Sequence, residues 1–454
     1  MIDSKNPGLL TSLKQSVYIL FTILLIASSN SFAAKPPGYF VDQSKLPFEA
    51  LPGATAYWGV HSGAGYQIEV PDNWNGSLVV WAHGFRGTGL ELTVDKHPLR
   101  ELLIPSGYAW AASSYTRNDY DISSGVQSTH GLIKRFNGLV GKPSQVLMTG
   151  ASMGGHITAV IIEQYPKLFA GALPICGVLA DYDLFDFFLD YNLAAQQLGV
   201  GASTYPIDAI PYLYGTVPAI KSNLELFPGG WPIFLNSDGE NFKDLAEIRS
   251  GGVRQNYDEA WFFWNSFPDN GSGAGNFLFD LAVGDGSLPR APGSALDNID
   301  TVYQFDTDPD QTAEEKELNH LIFRIAAEPQ TRRKQGLAQV PTITGDIDVP
   351  VLTLHNLGDL FVPVLNQVEY ASRVITQGKS DLLVQRAIRG VAHCGFTSNE
   401  LASAFQDLVA WVDGGQKPAG DDFSDPAEVA SPDFGCQFTD FDGQPAHLLP
   451  APCP

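Results

Sequence analysis

The sequence predicts an α/β protein: a mostly parallel sheet with helices on both faces, interrupted by one long insertion. Three observations carry that prediction. Apolar runs of strand length alternate with helix-length segments between residues 66 and 175, the order expected of parallel strands joined by crossover helices. Most of these runs are continuous, as strands buried on both faces require. The pattern returns after residue 349, so the two stretches read as halves of one sheet.

The elements follow in order. Tyr66–Val70 alternates apolar and polar residues; Leu78–Ala82, Tyr108–Ser113, Val146–Thr149 and Ala172–Ile175 read as strands. Helices are expected at Leu90–Leu103, Val126–Phe136 and Met153–Gln164. Before Gly65 the chain reads as a Pro/Gly-rich lead-in. From 178 to 340 it is rich in aromatics, Gly, Pro and Asp, without clean strand–helix alternation. That is far longer than an ordinary loop and long enough to form a subdomain. A strand at Val349–His355, a helix at Asn366–Thr376, a strand at Leu382–Ile388 and a helix at Glu400–Val412 complete the core. The expected divisions are therefore 34–177 and 341–413 for the core, 178–340 for the insertion and 414–454 for a surface tail.

Composition bounds the function. The chain has 454 residues, with 27 Lys+Arg against 50 Asp+Glu, a formal net charge of -23. That sign repels phosphate backbones and argues against a nucleic-acid partner. Hydrophobic residues are 44% and charged residues 17%, enough to bury a large core. Lys5 and Lys14 precede the apolar run Val17–Ala27, and small and polar residues follow it. This is the order of a secretory signal peptide spanning 1–33, with a cut after Ala33. The run is too short to cross a bilayer, and no later stretch reads as a membrane span. The expected location is secreted or periplasmic. Export permits disulfides. The four cysteines, Cys176, Cys394, Cys436 and Cys453, allow three connectivities. The short Pro-rich tail favours Cys436 with Cys453, leaving Cys176 with Cys394. No Cys-x-x-Cys spacing exists, so a structural zinc site is not expected.

The chemistry centres on Ser152. A strand runs into Gly150-Ala151-Ser152-Met153-Gly154 and then into a helix, the setting in which G-x-S-x-G exposes a nucleophile. Upstream, His83-Gly84-Phe85 follows a strand. The backbone N–H groups of Phe85 and Met153 are the candidate oxyanion donors, and His83 is expected to hydrogen-bond its own loop. A serine needs a base, and the base an orienting carboxylate. His393 and Asp359 each lie just after a late strand.

These residues resemble the α/β-hydrolase superfamily. The carrying motifs are HGF at 83–85, GASMGG at 150–155, GDLFVP at 358–363 and the His393 loop, in the order Ser152, Asp359, His393. The resemblance implies an eight-stranded, mostly parallel sheet and a lid or cap in the slot occupied by 178–340. It also implies a serine hydrolase without cofactor or metal. Asp181, Asp183 and Asp186 compete for the acid and His355 and His447 for the base, but Asp359 and His393 have the better local patterns.

Asp306–Glu317 places carboxylates at calcium-loop spacing, but Gln311 stands where the loop needs Gly. The better reading is Thr312 as N-cap with Glu315 as its capping-box partner, opening a helix to about Arg324. The insertion supplies Trp231, Trp261, Phe262, Phe263, Trp264, Phe267, Phe277 and Phe279. They read mainly as the insertion's own core, with some left to bind an aromatic or apolar substrate group. Asp269–Gly273 reads as a hinge. Arg86 and Arg117 border the site, each with a surface role favoured over carboxylate binding. The leading expectation is a carboxylic ester hydrolase acting on a small or polymer-derived ester. An amidase or peptidase would use the same residues. A non-catalytic binding scaffold is disfavoured because all three triad candidates remain.

Overall fold

Eight strands form one sheet in the order β1-β2-β4-β3-β5-β6-β7-β8. They are β1 (Ala54–His61), β2 (Ala64–Pro71), β3 (Ser77–Ala82), β4 (Ala109–Ser113), β5 (Gln145–Ala151), β6 (Gly171–Ile175), β7 (Val351–Asn356) and β8 (Leu383–Ile388). β1 with β2 and β2 with β4 are antiparallel, and every pairing from β4 to β8 is parallel. The computed structural model describes residues 38–226, 234–266, 277–288, 290, 293–332, 339–443 and 450–454. The expected signal peptide at 1–33, and Trp231, Phe267, Asp269–Gly273 and His447, lie outside them. Tyr39–Pro454 form one compact unit.

The continuous apolar runs have the predicted cause. β3, β4 and β6 are buried at every residue, and successive side chains enter opposite cores. Leu78, Val80 and Ala82 join one core with the helices α1 (Ile122–Leu139) and α2 (Met153–Gln164). Val79 and Trp81 join the other. That second face is covered by α8 (Ser398–Val412), through Ala404, Phe405 and Leu408.

Two expectations fail. Residues before Gly65 are not all lead-in: β1 pairs with β2 through a tight turn at Ser62 and Gly63, both at positive φ. That conformation matches the twist of a hairpin. The helix expected at Leu90–Leu103 shrinks to Arg100–Leu103. Its first half spends backbone groups elsewhere, with Phe40 N–H donating to Leu90 O and Leu92 N–H to Phe40 O. Pro98 has no N–H for a helix interior.

The segment 178–340 is helical where its longer elements are described. It holds α3 (Asp183–Val200), α4 (Ser237–Arg249), α5 (Tyr257–Ser266) and α6 (Ala313–Leu321). Its aromatics form a third core with Leu360, Val362 and Val391, which belong to the loops after β7 and β8. α6 opens with the predicted capping box, in which Thr312 and Glu315 satisfy each other's backbone N–H, and it ends at Leu321. Both favoured disulfides are present, Cys176–Cys394 and Cys436–Cys453. α7 (Leu365–Thr376) lies between β7 and β8 in the chain. The tail then docks on the edge strand: Asp421 N–H donates to Gln385 O, and Ala387 N–H donates to the Asp421 carboxylate.

Candidate active site

Ser152 sits at the turn between β5 and α2 with φ 58° and ψ −123°, a strained conformation for a residue with a side chain. The neighbouring glycines explain why the turn closes. A Cβ on Gly154 would overlap the Ala82 carbonyl, and one on Gly150 would overlap the Gly154 carbonyl. Bare Gly154 lets the turn pack against the end of β3, and bare Gly150 lets the first turn of α2 lie close over the end of β5. Gly84 lies over Ser152, where a Cβ would stand 3.2 Å from Ser152 Cβ. Met153 is the first residue of α2, where a helix leaves its N–H without an internal partner. Phe85 follows Gly84, with its ring partly exposed.

Asp359 and His393 come together at Ser152. His393 Nδ1 lies 2.6 Å from Asp359 Oδ2, and His393 Nε2 lies 2.8 Å from Ser152 Oγ. The carboxylate can only accept, so Nδ1 carries the proton and Nε2 is free to accept from the serine hydroxyl. Asp359 is completely buried. Its other oxygen accepts the N–H groups of Phe361 and Val362, both at 2.9 Å. These bonds fix the carboxylate plane.

The loop carrying His393 is tied from several sides. Cys394 is bonded to Cys176 just past β6, and its sulfur lies 3.4 Å from His393 Nε2. Asn356, at the end of β7, donates its amide to Ala392 O at 2.7 Å. Gly358 N–H donates to Gly390 O, joining the Asp359 loop to the His393 loop. The sequence reading missed Asn356, which lies one residue past the strand expected at Val349–His355 and ends β7 in the structure.

The competing residues serve elsewhere. Asp181 binds Arg373, Ile343 N–H and His156. Asp183 also pairs with Arg373, and Asp186 with Arg332 and Asp297 N–H. His355 is buried in β7 against Val362 O, and burial lowers its pKa to about 4. His83 is also held neutral by burial, at about 4. It contacts Gly84 O and stacks on Tyr115, as a histidine serving its own loop should. Arg86 is paired with Asp95, and Arg117 lies over the Tyr39 ring and 3.9 Å from Asp121. Both side chains are about two-fifths exposed, in keeping with the surface role favoured for each.

Aromatic rings border the imidazole. Phe361 meets His393 edge-on at 4.9 Å, and Phe277 meets Phe361 at 4.9 Å. Both rings are only partly buried. Trp261, Trp264 and Phe279 are buried in the insertion's core, as expected for most of its aromatics.

No family model matches the chain. The chain is 22% identical over 436 residues to an o-phthalyl amidase of Xanthobacter agilis, covering 84% of this chain and 92% of that protein. Among solved structures it is similar to an esterase from Aspergillus oryzae, at a TM-score of 0.47 and 15% identity, covering 81% of each chain. It is also similar to feruloyl esterase B from Aspergillus oryzae, at a TM-score of 0.41 and 14% identity, again covering 81% of each. Among the described residues no helix is long and apolar enough to cross a membrane.

Proposed function

We propose that the chain, with its eight-stranded mostly parallel sheet, is an exported serine hydrolase of α/β-hydrolase type that cleaves carboxylic esters through an acyl-enzyme. One observation carries the reading: the unbroken hydrogen-bond line from Ser152 through His393 to buried Asp359, with separations of 2.8 and 2.6 Å. Ser152 Oγ attacks the ester carbonyl while His393 Nε2 takes its proton. The N–H groups of Phe85 and Met153 hold the oxyanion, each contributing roughly 10²–10³ in rate. His393 then gives the proton to the leaving alcohol. Water, activated by the same imidazole, attacks the acyl carbonyl and releases Ser152.

Asp359 keeps the imidazole in the reactive tautomer and stabilises its charged form. Phe361 and Phe277 beside His393 support an aromatic group on the substrate. The two disulfides support export, since such bonds persist in oxidising compartments. A second reading, an amidase with the same residues, is favoured by the name of the Xanthobacter relative. The test is turnover of matched aryl ester and aryl amide substrates by the chain from Ala34 onward, beside folded Ser152→Ala. Ester turnover lost in that variant supports the proposal, and faster amide turnover selects the second reading. A folded protein that turns over neither, and whose Ser152 refuses a fluorophosphonate label, sinks both.

A further inference from the structure

The insertion reaches into the catalytic loops through one indole. Trp264, on α5, donates its Nε1–H to two carbonyls at once: Gly358 O at 2.9 Å and Val391 O at 3.0 Å. Gly358 immediately precedes Asp359, and Val391 lies two residues before His393. The shared N–H therefore spans the acid loop and the base loop. Its ring continues toward the imidazole: Trp264 stacks on Phe277 at 5.5 Å, Phe277 meets Phe361, and Phe361 meets His393. A second hook comes from the same part of the insertion, where buried Arg254 donates to Leu357 O at 2.8 Å.

The same helix supplies its own contrast. Trp261 stands three residues earlier and is as well buried, yet its Nε1–H has no hydrogen-bond partner among the described residues. It packs against Tyr191, Phe242 and Tyr257 inside the insertion. α5 thus carries one indole that serves packing and one whose polar atom is spent on the two loops that hold the triad.

We propose that Trp264 is a positioning residue: its N–H clamps the Asp359 and His393 loops at the separation the triad requires, which makes catalytic geometry depend on the insertion. The proposal rests on the hydrolase reading for its kinetic consequence and not for its structural one. Without the N–H, the Gly358 and Val391 carbonyls lose their shared donor; Gly358 N–H to Gly390 O, Leu357 N–H to Ile388 O, Arg254 to Leu357 O and the Asn356 and disulfide tethers remain, and the Asp359–His393 pair loosens. A misplacement of this kind lowers kcat and leaves substrate binding nearly unchanged.

The experiment compares Trp264→Phe with Trp261→Phe in the full mature chain. Two readouts are used: the downfield proton resonance of His393 Nδ1–H against pH, and kcat and KM for the aryl ester. Trp264→Phe is expected to shift and broaden that resonance and to lower kcat roughly ten- to a hundredfold, with KM within about twofold. Trp261→Phe is expected to leave both at wild-type values. A wild-type resonance and kcat in Trp264→Phe, or equal damage from Trp261→Phe, overturns the clamp. If Trp264→Phe does not fold, benzothienylalanine at 264 replaces only the N–H by sulfur and must give the same two shifts. An inert Ser152 would abolish turnover in every variant and would leave the resonance comparison intact, so failure of the hydrolase reading is distinguishable.

Discussion

Removing the Cys176–Cys394 bond is a sharper test of the fold than removing Cys436–Cys453, because the two close loops of very different length. Their sequence separations are 218 and 17. A cross-link restricts the unfolded chain by an entropy that grows with the logarithm of loop length, which gives about 5 kcal/mol for the long loop and about 3 kcal/mol for the short one. Truncating completely buried Cys176 adds a cavity term of the same sign. Cys176→Ala/Cys394→Ala should therefore lose about 2 kcal/mol more than Cys436→Ala/Cys453→Ala. Urea unfolding under non-reducing conditions, followed by fluorescence and circular dichroism, measures both. The pairs also differ in function, since Cys394 follows His393 directly and its sulfur lies 3.4 Å from Nε2. Loss of the long-loop bond should lower kcat, and loss of the tail bond should not. Equal destabilisation by the two double variants, or a larger loss from the tail pair, would refute the reasoning.

Asp359→Asn presents the wrong hydrogen-bonding group to His393 Nδ1 and should lower kcat by roughly 10⁴; a loss under tenfold in a folded variant would remove Asp359 from the acid role. Gly154→Ala drives a Cβ into the Ala82 carbonyl and should abolish soluble folded protein, whereas Gly138→Ala, in the last turn of α1 with open space around it, should be neutral or stabilising by up to about 1 kcal/mol in thermal unfolding. Burial raises the Asp421 carboxyl to about 6. Its folded pKa exceeds the unfolded value, so the native state takes up the proton first, and stability should rise as pH falls through 6 and level off below the ordinary carboxylate range. Asp421→Asn should flatten that part of the stability–pH curve, and an unchanged slope would assign it to other groups.

What was legible in the sequence follows from how local each constraint is. Ser152 was legible because a strand, two obligatory glycines and a helix start lie within a few residues of it. Asp359 and His393 were legible as polar residues just past apolar strands, where a parallel sheet gathers its loops. β1 was missed because its half-exposed pattern, broken by Gly59, resembles a loop, although the Ser62-Gly63 pair was a usable hairpin signal. α3 was missed for the opposite reason. Leu184, Phe187, Phe188 and Tyr191 have helical spacing, but the surrounding aromatics hid the period. The contributions of Trp264 and Asn356 had no local signature at all. An indole or amide N–H reads the same whether it faces water or a catalytic loop, and only tertiary packing decides which. Ser152, Asp359 and His393, which the structure joins by two successive hydrogen bonds, could thus be picked from the sequence, while contacts that tie their loops come from residues 95 and 3 positions before Asp359. Under the proposed function, activity should therefore fall when these supporting contacts are removed, although Ser152, Asp359 and His393 are unchanged.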